Sequence, residues 1–446
     1  MSVPQMQRAA NEQWWRVAPP PERGVVSLPI DTMPESKWPF RMLLAFTFVM
    51  LLAPQQAFPI LAPFRIAMLV VFLSVMTYMY ARLVRGEPFL EMKPGILPAL
   101  LIGAWSVMTV PMSYWPGGTV SFLLGEYFKT LAVFLLVSHV IDSIGKLRTL
   151  LLGLVLMGLP LAITVLIDFA AGSFNQAGDR VLLVYNAPLT ANPNDLALML
   201  NILLPFAISL FLASKGKTTL RIALGAAICI FVTTIVLTFS RAGFLALCVI
   251  FMIYMWRLRS RPERLWIPFA LLLMVFALPF VPDTYFDRLS TITNIEADES
   301  LSAQNRYSDM LVAIKLLVQN PLIGAGAGMN LYAMNEARGE ASLEIHNVYL
   351  QYGVDLGLPG LLLFLAVYFI CLRSTSVVMQ KARYMPAPNT LFYLAEGIRV
   401  SLWAFAVEAM FHPAAYNFYF YYIAGLAVAL RTVCDREAGI HEQSSA

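Results

Sequence analysis

Three arginines, Arg180, Arg241 and Arg306, stand in the alternate segments between apolar runs where basic residues are scarce. A guanidinium is permanently charged and its forked donors match phosphate oxygens, so two or three on one face suit a diphosphate. Arg241 is the most pointed of them. It lies in Thr238-Phe-Ser-Arg-Ala-Gly243, between two apolar stretches, where a charge is costly and marks function. The bland alternative is an arginine that snorkels to an interface. For Arg306, before Tyr307, the alternative is a solvated surface charge, and for Arg180 a local ion pair with Asp179. His346, in Glu344-Ile-His346-Asn347, is of a type that accepts a proton near neutral pH, although an interfacial or capping histidine would also fit. Asn192, Asn194 and Asp195 gather around Pro193. Asn194 or Asp195 suits a helix N-cap, and the same amides and carboxylate could hold sugar hydroxyls. Asn347, next to His346, is either a further glycan contact or structural.

Those residues need a frame, and composition says which kind. Of the 446 residues 59% are hydrophobic and 13% charged, with a mean hydropathy of +0.69. A soluble domain carries roughly 25% charge, so this chain has too little to coat a water-facing globule. Apolar runs long enough to cross a bilayer lie near 42–58, 64–83, 96–114, 120–141, 147–171, 194–213, 220–239, 242–257, 264–281, 347–372, 393–411 and 416–433. The fold class expected is an all-α integral membrane protein with about twelve transmembrane helices. Pro54 interrupts the first span, and the seventh and eighth meet at Ser240–Arg241.

Lysine and arginine crowd alternate loops, from Arg8–Arg41 through Arg257–Arg264 to Arg431 and Arg436, and the opposite short loops hold only Arg65, Arg180 and Arg241. This bias places both termini in the cytoplasm. The organisation expected is a cytoplasmic tail 1–38, helices over 39–281, a large outer loop 282–346, helices over 347–433 and a cytoplasmic tail 434–446. No apolar stretch lies near Met1, so no cleaved signal peptide is expected. The outer loop is acidic, and from Tyr307 its apolar residues recur at helical spacing, which predicts an amphipathic helix on the membrane surface or over a cavity.

Other signals are weaker. Glu296, Asp298 and Glu299 could bind a divalent cation, but a solvated loop carries acids anyway, and no metal or cofactor is expected. Asn320-Pro321-Leu-Ile-Gly324-Ala-Gly326-Ala-Gly328 follows a helical pattern and reads as permissive backbone for a tight re-entry, not as a dinucleotide fingerprint. Cys229, Cys248, Cys371 and Cys434 read as packing residues. The net charge of +4 follows topology, so no nucleic-acid partner is expected.

The order of these motifs resembles a known family. Asn-Pro-Asn-Asp opens a span, and Phe-Ser-Arg-Ala-Gly joins two others. A long loop then holds Arg-Tyr and Asn-Pro-Leu-Ile-Gly-x-Gly-x-Gly and closes with His-Asn-x-Tyr-Leu-Gln-x-Gly-x-x-Gly-x-x-Gly. From about Arg180 to Gly360 this is similar to the O-antigen ligases of bacterial inner membranes, a family that includes O-antigen and exopolysaccharide polymerases. The resemblance implies a C-type glycosyltransferase fold and an undecaprenyl-diphosphate-linked glycan donor. It also implies reaction at the periplasmic face, with lipid A–core or a lipid-linked saccharide as acceptor. The family's loop histidine falls on His346, the arginine of its Ser-Arg motif on Arg241 and its loop arginine on Arg306, with Arg180 a less secure match. A polymerase of the same family is the alternative. A lipid-linked glycan transporter is the alternative of another class, kept open by Glu126, Lys129, Asp168, Glu396 and Glu408 within spans.

Overall fold

A computed structural model describes residues 36–174, 181, 183, 185, 187, 189, 190, 192–266, 268, 302–339, 344–383, 385 and 390–445. Most of the expected span 264–281, Arg180 and the acids at 296–299 lie outside these. The helices of the described residues are α1 (Trp38–Leu52), α2 (Ile66–Arg85), α3 (Ile96–Met108), α4 (Pro116–Val140), α5 (Ile144–Ala170), α6 (Pro193–Ala213), α7 (Thr218–Leu237) and α8 (Arg241–Leu258). They continue as α9 (Ser302–Gln319), α10 (Asn330–Arg338), α11 (Val348–Ala382), α12 (Thr390–Glu408) and α13 (Phe418–Ser445). No strand occurs among the described residues, and eight helices are long and apolar enough to cross a membrane. The protein is therefore an all-α integral membrane protein.

Local chemistry ends the helices where the chain must turn. Ala53, at φ 42°, closes α1 before Pro54, and Phe239, at φ 55°, separates α7 from α8. The central pair is α6 with α12: 83% and 72% of their apolar windows are buried, against 11% for α2, which presents Phe72 and Tyr80 outward. Apolar side chains on that face are what a hydrocarbon solvent calls for.

α11 is broken, and the break explains the glycine-rich segment. Gly357 has φ 67° and ψ −171°, and Pro359 follows. Proline has no N–H, so the Asp355 carbonyl four residues back loses its helical partner. Gly326 N supplies one at 2.8 Å, Ala325 N binds the Val354 carbonyl at 2.7 Å, and Trp105 Nε1 binds that of Leu356 at 2.9 Å. Leu358 N is satisfied in turn by Pro321 O at 2.7 Å. Segment 321–326 thus replaces the missing helical ladder, which a buried backbone requires. The Asp355 carboxylate, fully buried, accepts from Asn330 N at 2.7 Å, Gly328 N at 3.1 Å and Asn330 Nδ2 at 3.2 Å, and so caps α10 from another helix.

On this platform a second small core forms from Ala313, Leu316, Met329, Ala333, Met334, Ile345 and Val354. It packs α9, the amphipathic helix expected from the sequence, against α10 and α11, and an Arg338–Asp309 ion pair joins α9 to α10. Arg306 and His346 ride on this unit.

A β-carbon on Gly324, at φ +75°, would lie 2.6 Å from the Asp355 carbonyl, whereas one on Gly86, at φ +66°, would meet nothing within 4 Å. Gly324→Ala should therefore cost more than the ~1–2 kcal/mol of left-handed strain that Gly86→Ala carries alone. Melting of the two variants in one detergent checks the order.

Candidate active site

The site is built where the N-terminal ends of α6 and α8 meet the C-terminal end of α12. Ser240 Oγ accepts Gly243 N at 3.2 Å and caps α8. Gly243 lets α8 press on α6, since a β-carbon there would stand 2.7 Å from Ala197 Cβ. One turn further along α6, fully buried Asn201 donates through Nδ2 to Gly243 O at 2.9 Å and to Glu408 Oε1 at 2.8 Å. Glu408 is the last residue of α12 and is itself fully buried. Its Oε2 lies 3.3 Å from His412 Nδ1, and His412 Nε2 lies 3.8 Å from Asp195 Oδ1. Neither nitrogen of this 3%-exposed ring is in hydrogen-bonding geometry with a protein partner, nor is Glu408 Oε2.

The amide-rich motif has a division of labour different from the expected one. The cap of α6 is Asn192, not Asn194 or Asp195: its Oδ1 accepts Asn194 N at 2.9 Å and Asp195 N at 3.0 Å. Pro193 fixes this register, because proline is suited to the first helical position. Asn192 Nδ2 also donates to Asp195 Oδ2, which leaves Oδ1 toward His412. Asn347 is structural as well. Its Oδ1 accepts Leu350 N at 3.0 Å to cap α11, and its Nδ2 reaches Met410 O at 3.2 Å. With Val348 N on Ala409 O at 2.8 Å, this ties the chain beside His346 to the turn that carries His412.

Electrostatics join the two histidines and Arg306. Burial pushes the His412 imidazole down to about 4, and the charge of Arg306, with that of His346 when protonated, pushes the same way, against the nearby carbonyls of Glu408 and Asn194. The His346 imidazole is lowered by burial first and then by Arg306, with the Glu344 carbonyl and Asp309 opposing. Its Nδ1 is buried without a hydrogen-bond partner. Both rings are thus neutral at pH 7 and able to accept a proton. Burial raises the Glu344 carboxyl.

The structure therefore brings together Arg306, His346, Asp195, Asn192, Asn194 and Asn347. Arg241 is half-buried at the first position of α8, two residues before the Gly243 carbonyl that Asn201 holds. Arg180 lies outside the described residues. Sequence reasoning gave no site role to Asn201, Glu408 or His412. The signal for the last two was their closeness in sequence, two ionisable groups four residues apart at the end of an apolar run. Among the described residues, no three His, Cys, Asp or Glu side chains converge as metal ligands.

Fold and site together define a multi-pass membrane protein with a buried carboxylate–imidazole cluster beside an arginine at one end of its bundle. Residues 224–365 match the family model described as O-antigen ligase, so about a third of the chain is similar to that family. No curated protein matches the chain. The matched segment holds Arg241, Arg306 and His346, whereas Asp195, Glu408 and His412 lie outside it. The match supports a ligase- or polymerase-type enzyme acting on lipid-linked glycans.

The folded state resists protonating His412 until about pH 4, while an unfolded histidine takes a proton near 6.5. Between these values the unfolded state binds more protons, so this residue's contribution is lost as pH falls. Relative to His412→Gln, the wild type should lose about 2 kcal/mol between pH 7 and pH 5. Taking the difference of the two melting curves cancels what Asp195, Glu408 and His346 contribute in both proteins.

Proposed function

We propose that this protein transfers a glycan from an undecaprenyl-diphosphate carrier to an acceptor hydroxyl, lipid A–core or a similar saccharide, at the periplasmic face of the bacterial inner membrane. The observation that carries the reading is Arg306 acting electrostatically on two neutral imidazoles, the buried His412 and the half-buried His346, at the helix ends where the matched family segment meets α6 and α12. The lysine and arginine bias of the loops supports the periplasmic assignment of that end. Arg306, with Arg241 and Arg180, holds the donor diphosphate and stabilises the charge that develops as it leaves. His346 takes the proton of the acceptor hydroxyl. The acceptor oxygen bonds to the anomeric carbon as the bond from that carbon to the phosphate oxygen breaks. Attack from the face opposite the diphosphate inverts that carbon. Undecaprenyl diphosphate departs with the bonding pair, and the proton rests on His346. Asp195, His412 and Asn194 line the approach, where they hold sugar hydroxyls.

Two of the charges that keep a transporter in view have local partners. Glu396 accepts from Arg257 and Arg261, and Glu408 from Asn201. Charges committed to such partners support an enzyme over a solute path through the spans.

Purified protein supplied with lipid-linked donor and acceptor tests the reading. His346→Ala should lower turnover about 10²–10⁴-fold and Arg306→Gln about 10²–10³-fold. Near-normal turnover in a folded His346→Ala protein removes the base from the mechanism. Offering lipid A–core and lipid-linked repeats separately, and sizing the product, separates ligase from polymerase.

The acidic limb of the pH–rate profile should fall below 6.5, because His346 must be neutral to act. In Arg306→Gln the limb should move upward, since a charge that opposes protonation has gone. Values of kcat/KM across pH 4.5–8, which report the free enzyme before a donor offsets the Arg306 charge, check both directions, and a limb at or above 6.5 in the wild type contradicts the burial argument.

A further inference from the structure

The other end of α8 carries a second concentration of arginine that the proposed chemistry does not use. Eighteen residues of helix separate it from Arg241, about 27 Å of rise. There a cavity of about 530 Å³ is lined by Trp256, Arg257, Arg259, Arg261, Arg383 and Arg399. That volume is within the range of small-molecule sites, roughly 300–1,000 Å³. None of the cavity's described lining residues is acidic. The carboxylate that answers these charges is Glu396, 1% exposed. It is already saturated by Arg257 Nη1 on Oε1, Arg261 Nη2 on Oε1 and Arg261 Nη1 on Oε2, each at 2.8 Å.

The guanidiniums are also held in place. Arg259 stacks 3.4 Å above the Trp256 ring, and Arg261 and Arg383 lie 4.9 and 5.7 Å from the centre of the Phe392 ring. Arg399 Nε is buried without a hydrogen-bond partner. Basic loops set topology wherever they lie near a span end. Topology does not require five guanidiniums, drawn from α8, α11, α12 and their flanks, to converge on one cavity. Like charges this close repel in a medium of reduced dielectric, and an anion among them reverses the sign of the interaction. Ser260, Ser376 and Gln380 add neutral donors to the same wall.

We propose that this cavity is a binding site for a phosphate-bearing anion. The chemistry is shared by the headgroup of an anionic phospholipid and by free phosphate or pyrophosphate. Basic pockets between helix ends bind lipid headgroups by the same forces. Occupancy ties the C-terminal turn of α8 to α11 and α12.

The test uses the full chain in zwitterionic nanodiscs, with cardiolipin titrated in one arm and inorganic pyrophosphate in the other. Thermal melting and native mass spectrometry report stabilisation and retained ligand. One or both anions should stabilise the wild type, and which of them acts names the source. Arg259→Gln with Arg399→Gln should weaken that response at least about tenfold, the scale of one lost charge-assisted hydrogen bond. Should the double variant not fold, Arg383→Gln, whose partner is an aromatic face, is read in its place. Stabilisation by neither anion, or an equal response in a folded variant, overturns the site. The readout is binding, so it stands or falls independently of glycan transfer.

Discussion

One buried amide, that of Asn201, holds the working end of this bundle together. It occupies the Gly243 carbonyl with one proton and the Glu408 carboxylate with the other. In a hydrocarbon surrounding, an unpaired carbonyl or carboxylate costs several kcal/mol, so α6, α8 and α12 are fixed relative to one another by the need to satisfy both. Gly243 permits the contact and Ser240 ends the helix in the register that makes it. The short motif around Arg241 is therefore first a joint between helices, and the position of Arg241 follows from it.

A second joint has the same logic. The break at Gly357 and Pro359 leaves the carbonyls of Val354, Asp355 and Leu356 without helical partners, and the glycine-rich segment and Trp105 supply them. The loop is thus fastened to α11 by hydrogen bonds that neither part makes alone. That fastening supports α9 and α10, and through them Arg306.

How much of this was legible follows from the range of each interaction. The helices were readable because a span is a run of apolar residues, and α9 because its apolar residues recur at helical spacing. The glycine-rich segment was rightly read as permissive backbone, though its partner on α11 was invisible. The cap of α6 was misjudged by two or three residues, where the proline that settles it was in plain view. The contact of Asp195 with His412 could not be read. It joins residues more than two hundred positions apart, and nothing in either local sequence names the other. Glu408 was read only as an isolated span charge for the same reason.

In the proposed reaction the field of Arg306 acts twice, with opposite signs. Before the donor binds, its charge lowers the proton affinity of both imidazoles, which keeps them neutral but makes them weaker bases. A diphosphate held by the same guanidinium cancels much of that field. The proton affinity of His346 then rises toward that of an ordinary histidine at the moment a proton must be accepted. A base that strengthens when the donor arrives couples proton transfer to the presence of the leaving group. The arrangement needs no moving part. It requires only that one positive charge be near enough to act on both the anion and the ring.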